Sequence, residues 1–303
     1  MIFATGLLDP EGPVLLPGGG WLVTEMGPRR GCVTALSADG HVGDVLCRTG
    51  RPNGLALGAG DDVWIAESAE PALLRLDAAS RTVATIATQF HGRDLLWPND
   101  LCFGPDGALY LTDSGIHMSV FAADGGIGAD DLDSRKQAVE AAVDGRLLRL
   151  DTATLELECL AAGLRFPNGI AFGPDGALYV AETLTGDIIE FSLDAGRVAG
   201  ERVFGNVLAA PPDHRWAGPD GMAFDQRGWL YVAVLGQADV TVLDASGSVA
   251  ARYPVSGSLP TNVAFGPDGE RRIYVTENVH GQVECVGVPA DGLPLHRPAG
   301  PLG

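Results

Sequence analysis

Along the chain, short apolar runs are broken at regular places by the same polar punctuation. From Pro52 the sequence reads PNGLALGAGDDVWIAES, from Pro98 PNDLCFGPDGALYLTDS and from Pro167 PNGIAFGPDGALYVAET. PDGMAFDQRGWLYVAVL follows from Pro219 and PTNVAFGPDGERRIYVTEN from Pro260; a divergent copy, PEGPVLLPGGGWLVTEM, starts at Pro10. In each copy an apolar segment such as Leu101-Cys102-Phe103 enters a turn, and an aromatic and β-branched segment such as Leu109-Tyr110-Leu111 leaves it. Pro second and Gly fourth in Gly-Pro-Asp-Gly are type I turn chemistry, so each copy predicts a hairpin. Further strand-like pieces, such as Leu147–Leu150 and Val240–Asp244, lie between copies. A period of about 40 to 50 residues holding about four strands is one propeller blade. Six copies, stepping by 42, 46, 69, 52 and 41 residues, predict an all-β, six-bladed β-propeller occupying residues 1–303 as a single domain. Helical periodicity is confined to Lys136–Val143. A TIM barrel would need helices between the strands, and two sandwiches would not share one repeat.

Composition narrows the partners. The 303 residues carry 20 Lys+Arg against 39 Asp+Glu, a net charge of −19. Such a chain is repelled by nucleic acids and anionic membranes, so the expected partner is a small molecule, bound by a monomer or weak homodimer. No apolar run approaches the ~18 residues of a transmembrane helix, and the N-terminal segment lacks the basic region of a signal peptide. The cysteines (Cys32, Cys47, Cys102, Cys159 and Cys285) form no CxxC pair. They read as reduced, buried small hydrophobes, in keeping with a cytoplasmic location.

In a propeller the first strand of each blade lines the central channel. The residue after each repeat Pro then starts that strand, and all six converge on one mouth: Glu11, Asn53, Asn99, Asn168, Asp220 and Thr261. Pro-Asn-Gly and Pro-Asp-Gly are ordinary turn tripeptides, but six oxygen-bearing residues around one axis need partners when buried. Glu11, Asn99, Asn168 and Asp220 supply two carboxylates and two amides, a charge of −2 that matches one divalent ion. Ca²⁺ is the first choice for such oxygens, with Zn²⁺, Mn²⁺ or Fe²⁺ as alternatives; no Cys or His joins the ring. Fifteen residues after each Pro lies a second set, Glu25, Glu67, Asp113, Glu182 and Val234, with Glu277 equivalent in the last copy. This outer ring reads either as a solvated acidic rim or as support that orients metal-bound amides or moves protons.

Four motifs, Glu11-Gly12-Pro13-Val14, Pro98-Asn99-Asp100, Phe166-Pro167-Asn168-Gly169 and Gly218-Pro219-Asp220-Gly221-Met222, resemble the senescence-marker-protein/gluconolactonase family, which includes diisopropyl-fluorophosphatase-like enzymes. The resemblance spans almost the whole chain. It implies a six-bladed propeller with a divalent ion, usually calcium, in its channel. Glu11, Asn99, Asn168 and Asp220 map onto the metal ligands, and Asp220 also onto the acid assigned as base or nucleophile. Two departures stand out. The animal sugar-lactonase pattern has Arg two residues before the Asn of the third copy; Trp97 stands here and suggests a less polar substrate. A second, structural calcium would need an acid at Ala223 and is not expected.

One insertion lies outside the repeat. The step from Pro98 to Pro167 is 69 residues, and its excess falls at about 115–144, over the channel mouth, as a lid or a surface excursion. His117 and Phe121 within it would help choose the substrate. No GxSxG, HExxH or P-loop is present. His41, His91, His214, His280 and His296 show no metal spacing, although His214 and Trp216 sit close enough in sequence to reach the mouth. The leading expectation is a metal-dependent hydrolase that opens a lactone or similar cyclic ester. The ion would polarise the carbonyl, Asp220 would act as base or nucleophile, and Glu11 and Asp100 would assist. Asn53, Trp97, Glu182 and Thr261 complete the expected pocket. The alternatives are a phosphotriester or P–F hydrolase at the same site, and a non-catalytic ligand-binding propeller with a structural metal.

Overall fold

The computed structural model describes residues 1–60, 62–117, 139–140, 142–209 and 217–298. Six four-stranded antiparallel sheets are arranged around an axis as the blades of a propeller. The innermost strands are Pro10–Leu15, Pro52–Leu57, Pro98–Phe103, Pro167–Phe172, Gly218–Phe224 and Pro260–Phe265. Each pairs with the strand that follows its turn, and in every blade the repeat Pro sits opposite the acid or Val of the outer set: Pro98 against Asp113, Pro167 against Glu182, Pro219 against Val234. The first five blades are each built from one run of chain. The sixth is closed by Ile2–Thr5, which pairs with Gln282–Gly287 as the outermost strand. The chain start and end are thereby joined in one sheet, which leaves no gap in the ring.

The turns follow from their sequence. In Gly104–Gly107 the Gly104 N–H donates to Ala108 O at 2.9 Å, and Gly107 takes the left-handed conformation (φ 77°) that a side chain would resist. The turn Asp is used twice: Asp106 accepts the Ala108 N–H at 3.1 Å and the Tyr110 hydroxyl at 3.1 Å, and Asp175 repeats this with Ala177 and Tyr179. In three blades the tyrosine of the second strand then meets the Phe that ends the next blade's innermost strand. Tyr110–Phe172, Tyr179–Phe224 and Tyr231–Phe265 pack edge-on with centroids 5.0, 4.8 and 5.1 Å apart. Blades are thus held to one another by the same residues that made the repeat visible, each pair adding roughly 0.5–1.5 kcal/mol beyond its buried area.

The insertion follows the strand Leu109–Asp113 and precedes Gly145–Leu150. Most of it, with Met118, Phe121, Asp130, Asp131 and Asp133, lies outside the described residues, as do His214 and Trp216. At its end Val143 N–H donates to Val139 O at 2.9 Å, one turn of the helix expected over Lys136–Val143. Among the described residues no helix is long and apolar enough to cross a membrane. All five cysteines are free; Cys32, Cys47 and Cys285 are buried, and Cys102 and Cys159 partly so.

Candidate active site

All six residues that follow the repeat prolines are buried at one end of the channel: Glu11, Asn53, Asn99, Asn168, Asp220 and Thr261. They stand on strands that neighbour one another in turn around the axis. The glycines of Pro-Asn-Gly and Pro-Asp-Gly have a packing reason here. A Cβ on Gly54 would overlap the Asp100 carboxylate, and one on Gly221 would overlap the Asn262 carboxamide. Where the neighbouring blade sends a polar side chain inward, the residue facing it has none.

Three carboxylates share this space. Burial, then the charge of Asp100, pushes Glu11 from 4.5 up to about 7, against hydrogen bonds from Thr261, Asn262 and the Gly12 N–H. Burial likewise raises Asp100 from 3.8 to about 7. Asp220 rises well above its usual range through burial and then the charges of Glu11 and Asp100, with Asn168 and the Gly221 N–H opposing. Glu11 is held in place by Asn262 Nδ2, which donates to Oε1 at 3.1 Å, and by Thr276 Oγ1, which donates to Oε2 at 3.4 Å.

The two amides are held just as firmly, by one end only. Asn99 Nδ2 donates to Ser114 Oγ at 2.9 Å, and Ser114 in turn donates to Pro167 O in the next blade at 2.9 Å. Asn168 Nδ2 donates to Thr183 Oγ1 at 3.3 Å, and Thr183 donates to Pro219 O at 2.8 Å. Both hydroxyls are therefore committed, each NH₂ group has a partner, and Oδ1 of Asn99 and of Asn168 accepts no hydrogen bond although buried. An unmet buried acceptor costs about 1–3 kcal/mol. Two such oxygens beside carboxylates that burial and mutual repulsion drive toward protonation fit a hard cation, which would satisfy all of them. Among the described residues no three His, Cys, Asp or Glu side chains form a group able to hold a metal. The fitting set is mixed, two acids and two amides.

The outer acids do something other than was expected of them. They are buried, so they are no solvated rim. Their oxygens take backbone N–H groups of the loops on either side of their own hairpin. Asp113 accepts from Leu96, Trp97 and Gly115 at 3.0, 2.8 and 3.1 Å; Glu67 from Arg51 and Ala69 at 2.8 and 2.7 Å; Glu182 from Arg165 at 2.7 Å. Glu277 does the same for Val279 and His280, both at 2.9 Å. Antiparallel register explains this: an acid opposite the Pro faces the loop before it. The next residue, Ser114 or Thr183, is the one that reaches the amide. Removing that hydroxyl is a direct test. Thr183→Val should weaken metal binding about 10- to 100-fold, the usual cost of losing a group that orients a ligand, as read by calorimetry. An unchanged Kd would mean that Asn168 needs no orienting partner.

The remaining expected pocket residues are placed unevenly. Thr261 donates to Pro10 O at 2.9 Å and so joins the sixth blade to the first. Asn53 accepts the Thr24 hydroxyl on its main-chain oxygen at 2.8 Å. Trp97 is buried with Ile116, Val139 and Phe166, and its ring lies 5.2 Å below the guanidinium carbon of Arg51. His117 is exposed. The residues that sequence reasoning passed over are Ser114, Thr183, Asn262, Thr276 and Arg51. Asn262 carried a signal, since it occupies the same repeat position as Asp100.

Comparison with known proteins places this geometry. Residues 11–278 match the family described as the SMP-30/Gluconolactonase/LRE-like region. A gluconolactonase of Zymomonas mobilis is 26% identical over 292 residues, which cover 89% of this chain and 76% of that protein. A solved gluconolactonase of Xanthomonas campestris superposes with a TM-score of 0.76 at 26% identity, over 95% of this chain and 89% of that one. Regucalcin of Agrobacterium tumefaciens, described as a calcium-binding protein, shares the fold with a TM-score of 0.73 at 22% identity, over 97% of this chain and 98% of its own.

Proposed function

Because this chain belongs to the SMP-30/gluconolactonase/LRE-like family, we propose that it is a metal-dependent lactonase, with Glu11, Asn99, Asn168 and Asp220 holding one divalent ion, Ca²⁺ by preference. The observation that carries the reading is the pair of buried, unaccepting amide oxygens of Asn99 and Asn168 beside the carboxylate cluster. A bound divalent ion supplies Lewis acidity, which draws electron density from a carbonyl oxygen.

The chain's own groups supply the rest. Asp220 takes a proton from the attacking water, whose oxygen adds to the lactone carbonyl carbon. The bond from that carbon to the ring oxygen breaks, and the proton passes to the ring oxygen, which leaves as a hydroxyl. Water is consumed and a hydroxy acid is released. Glu11 stays fixed by Asn262 and Thr276 and sets the charge beside Asp220. Asp100 packs against Gly54 and adds its charge beside Glu11 and Asp220. Neutral Asn99 and Asn168 hold the ion without cancelling its charge. The test is acid release from a set of five- and six-membered lactones, with a phosphotriester as the comparison substrate. Ring opening by metal-loaded protein, at a rate clearly above the phosphotriester, is expected. No acid release from any lactone would remove the proposal.

A further inference from the structure

Arg51 is an inward arginine without a carboxylate at contact distance among the described residues. The chain has 39 acids for 20 basic residues, and two other inward arginines are paired, Arg146 with Asp113 at 3.3 Å and Arg149 with Asp106 at 2.8 Å. Arg51 forms no ion pair within 4.0 Å among the described residues. Its main chain is pinned three times: N–H to Glu67 Oε1 at 2.8 Å, and the carbonyl accepting from Ser68 Oγ at 2.9 Å and Ser68 N–H at 3.1 Å. The side chain crosses from the second blade to the third. There its guanidinium lies over the Trp97 ring, 5.2 Å from the centroid, while Nη1 donates to Ser68 Oγ at 3.2 Å. Nε and Nη2 make no hydrogen bond among the described residues, and Arg51 is only partly buried. Arg51 directly precedes Pro52-Asn53 and lies over Trp97, two residues before Asn99, so it stands at the channel end that carries the site; burial lowers its pKa, against the charges of Asp9, Glu67, Glu11 and Asp220.

The free edge is the informative part. Nε and Nη2 are the two parallel donors with which a guanidinium grips an oxyanion side-on. One face is braced on an indole, the far nitrogen is tied to Ser68, and that edge alone is left for a ligand. We propose that Arg51 is the residue that sets substrate class, taking an acidic oxyanion substituent (carboxylate, sulfonate or phosphate) carried by the lactone, in place of the less polar substrate that Trp97 alone suggested. The inference rests on the lactonase reading. It is a statement about which lactone enters, since nothing in ring opening itself requires an anion away from the carbonyl.

The test compares D-glucono-1,5-lactone with its analogues bearing a carboxylate, a sulfonate or a phosphate at C6. Wild-type protein should favour at least one acidic analogue by about 10-fold or more in kcat/KM, the scale of a charge-assisted pair. Arg51→Met keeps a long side chain over Trp97 and should reduce that ratio at least about 10-fold; Arg51→Lys should restore part of it. A ratio unchanged in Arg51→Met, with both rates falling together, makes the residue a structural brace and overturns the proposal, as does a wild-type preference for the neutral lactone. If the wild type opens no lactone, only the lactonase reading fails. Calorimetric binding of gluconate and of the diacid glucarate then decides. Tighter glucarate binding that disappears in Arg51→Met upholds the anion site, and equal binding of the two refutes it.

Discussion

Asp220→Asn should lose at least about 10²-fold in kcat, the scale of a missing general base. The substitution keeps the size of the side chain and one oxygen, so some metal should remain bound, though more weakly. It also removes one of three carboxylates that burial raises, with the charge of Asp100 adding to the rise of Glu11 and the charges of Glu11 and Asp100 to that of Asp220. Stripped of metal, the variant should therefore melt above the wild type in the same state. Asn168→Asp is the counterpart. It adds a negative charge where a buried Oδ1 lacks a partner and should hold the ion as well or better, with a smaller loss of turnover because the added charge only softens the Lewis acid. Metal content and turnover on both variants separate the roles. An Asp220→Asn protein that is metal-loaded and fully active would leave Asp220 a ligand only, and the base would then be Glu11 or Asp100.

Removing the metal should cost stability in a pH-dependent way. At a free-ion concentration of 100 times Kd, binding to the folded state alone is worth about 2.7 kcal/mol. In the stripped protein Glu11 and Asp100 titrate at about 7 when folded, against 4.5 and 3.8 ordinarily. Between those limits the folded chain holds protons that the unfolded chain has released. Stability of the stripped protein should therefore fall as pH rises from about 4 to about 7. Asp220, whose carboxyl is also raised by burial and then by the charges of Glu11 and Asp100, adds to the fall. Excess Ca²⁺ should remove this slope near neutrality, because the ion stabilises the same carboxylates in their charged form. Thermal melts of stripped and Ca²⁺-loaded protein at pH 5, 6, 7 and 8 check it; coincident, flat profiles would mean that the three acids do not share one site.

Much of this was legible in the repeat. Each Pro lies at or next to the start of an innermost strand, the turn Asp accepts a Tyr hydroxyl in the third and fourth copies, and the residue after the Pro is buried at the axis in all six copies. What the repeat could not convey is anything set by pairing across blades. Ile2–Thr5 belongs to no copy, yet it closes the sixth blade, because the ring needs an outer strand there and the chain start supplies it. The outer acids read as a solvated rim or as support for the metal-bound amides because they return to the same end. Register instead sets them opposite the prolines, so their oxygens meet loop amides. Ser114 and Thr183 went unnoticed because a single hydroxyl gains meaning only beside the amide that it holds. Arg51 was hidden for another reason. The position before the repeat Pro is filled by Asp9, Trp97, Phe166, Gly218 and Leu259 in the other copies, so no shared residue type drew attention to it.

The most direct measurement is a metal titration of EDTA-stripped protein in which bound ion and lactone turnover are recorded on the same samples. One divalent ion per chain, with turnover rising in proportion to occupancy and saturating with it, is the expected result. Full turnover at zero occupancy, or saturation of the site with no change in turnover, would contradict a catalytic metal centre built on Glu11, Asn99, Asn168 and Asp220.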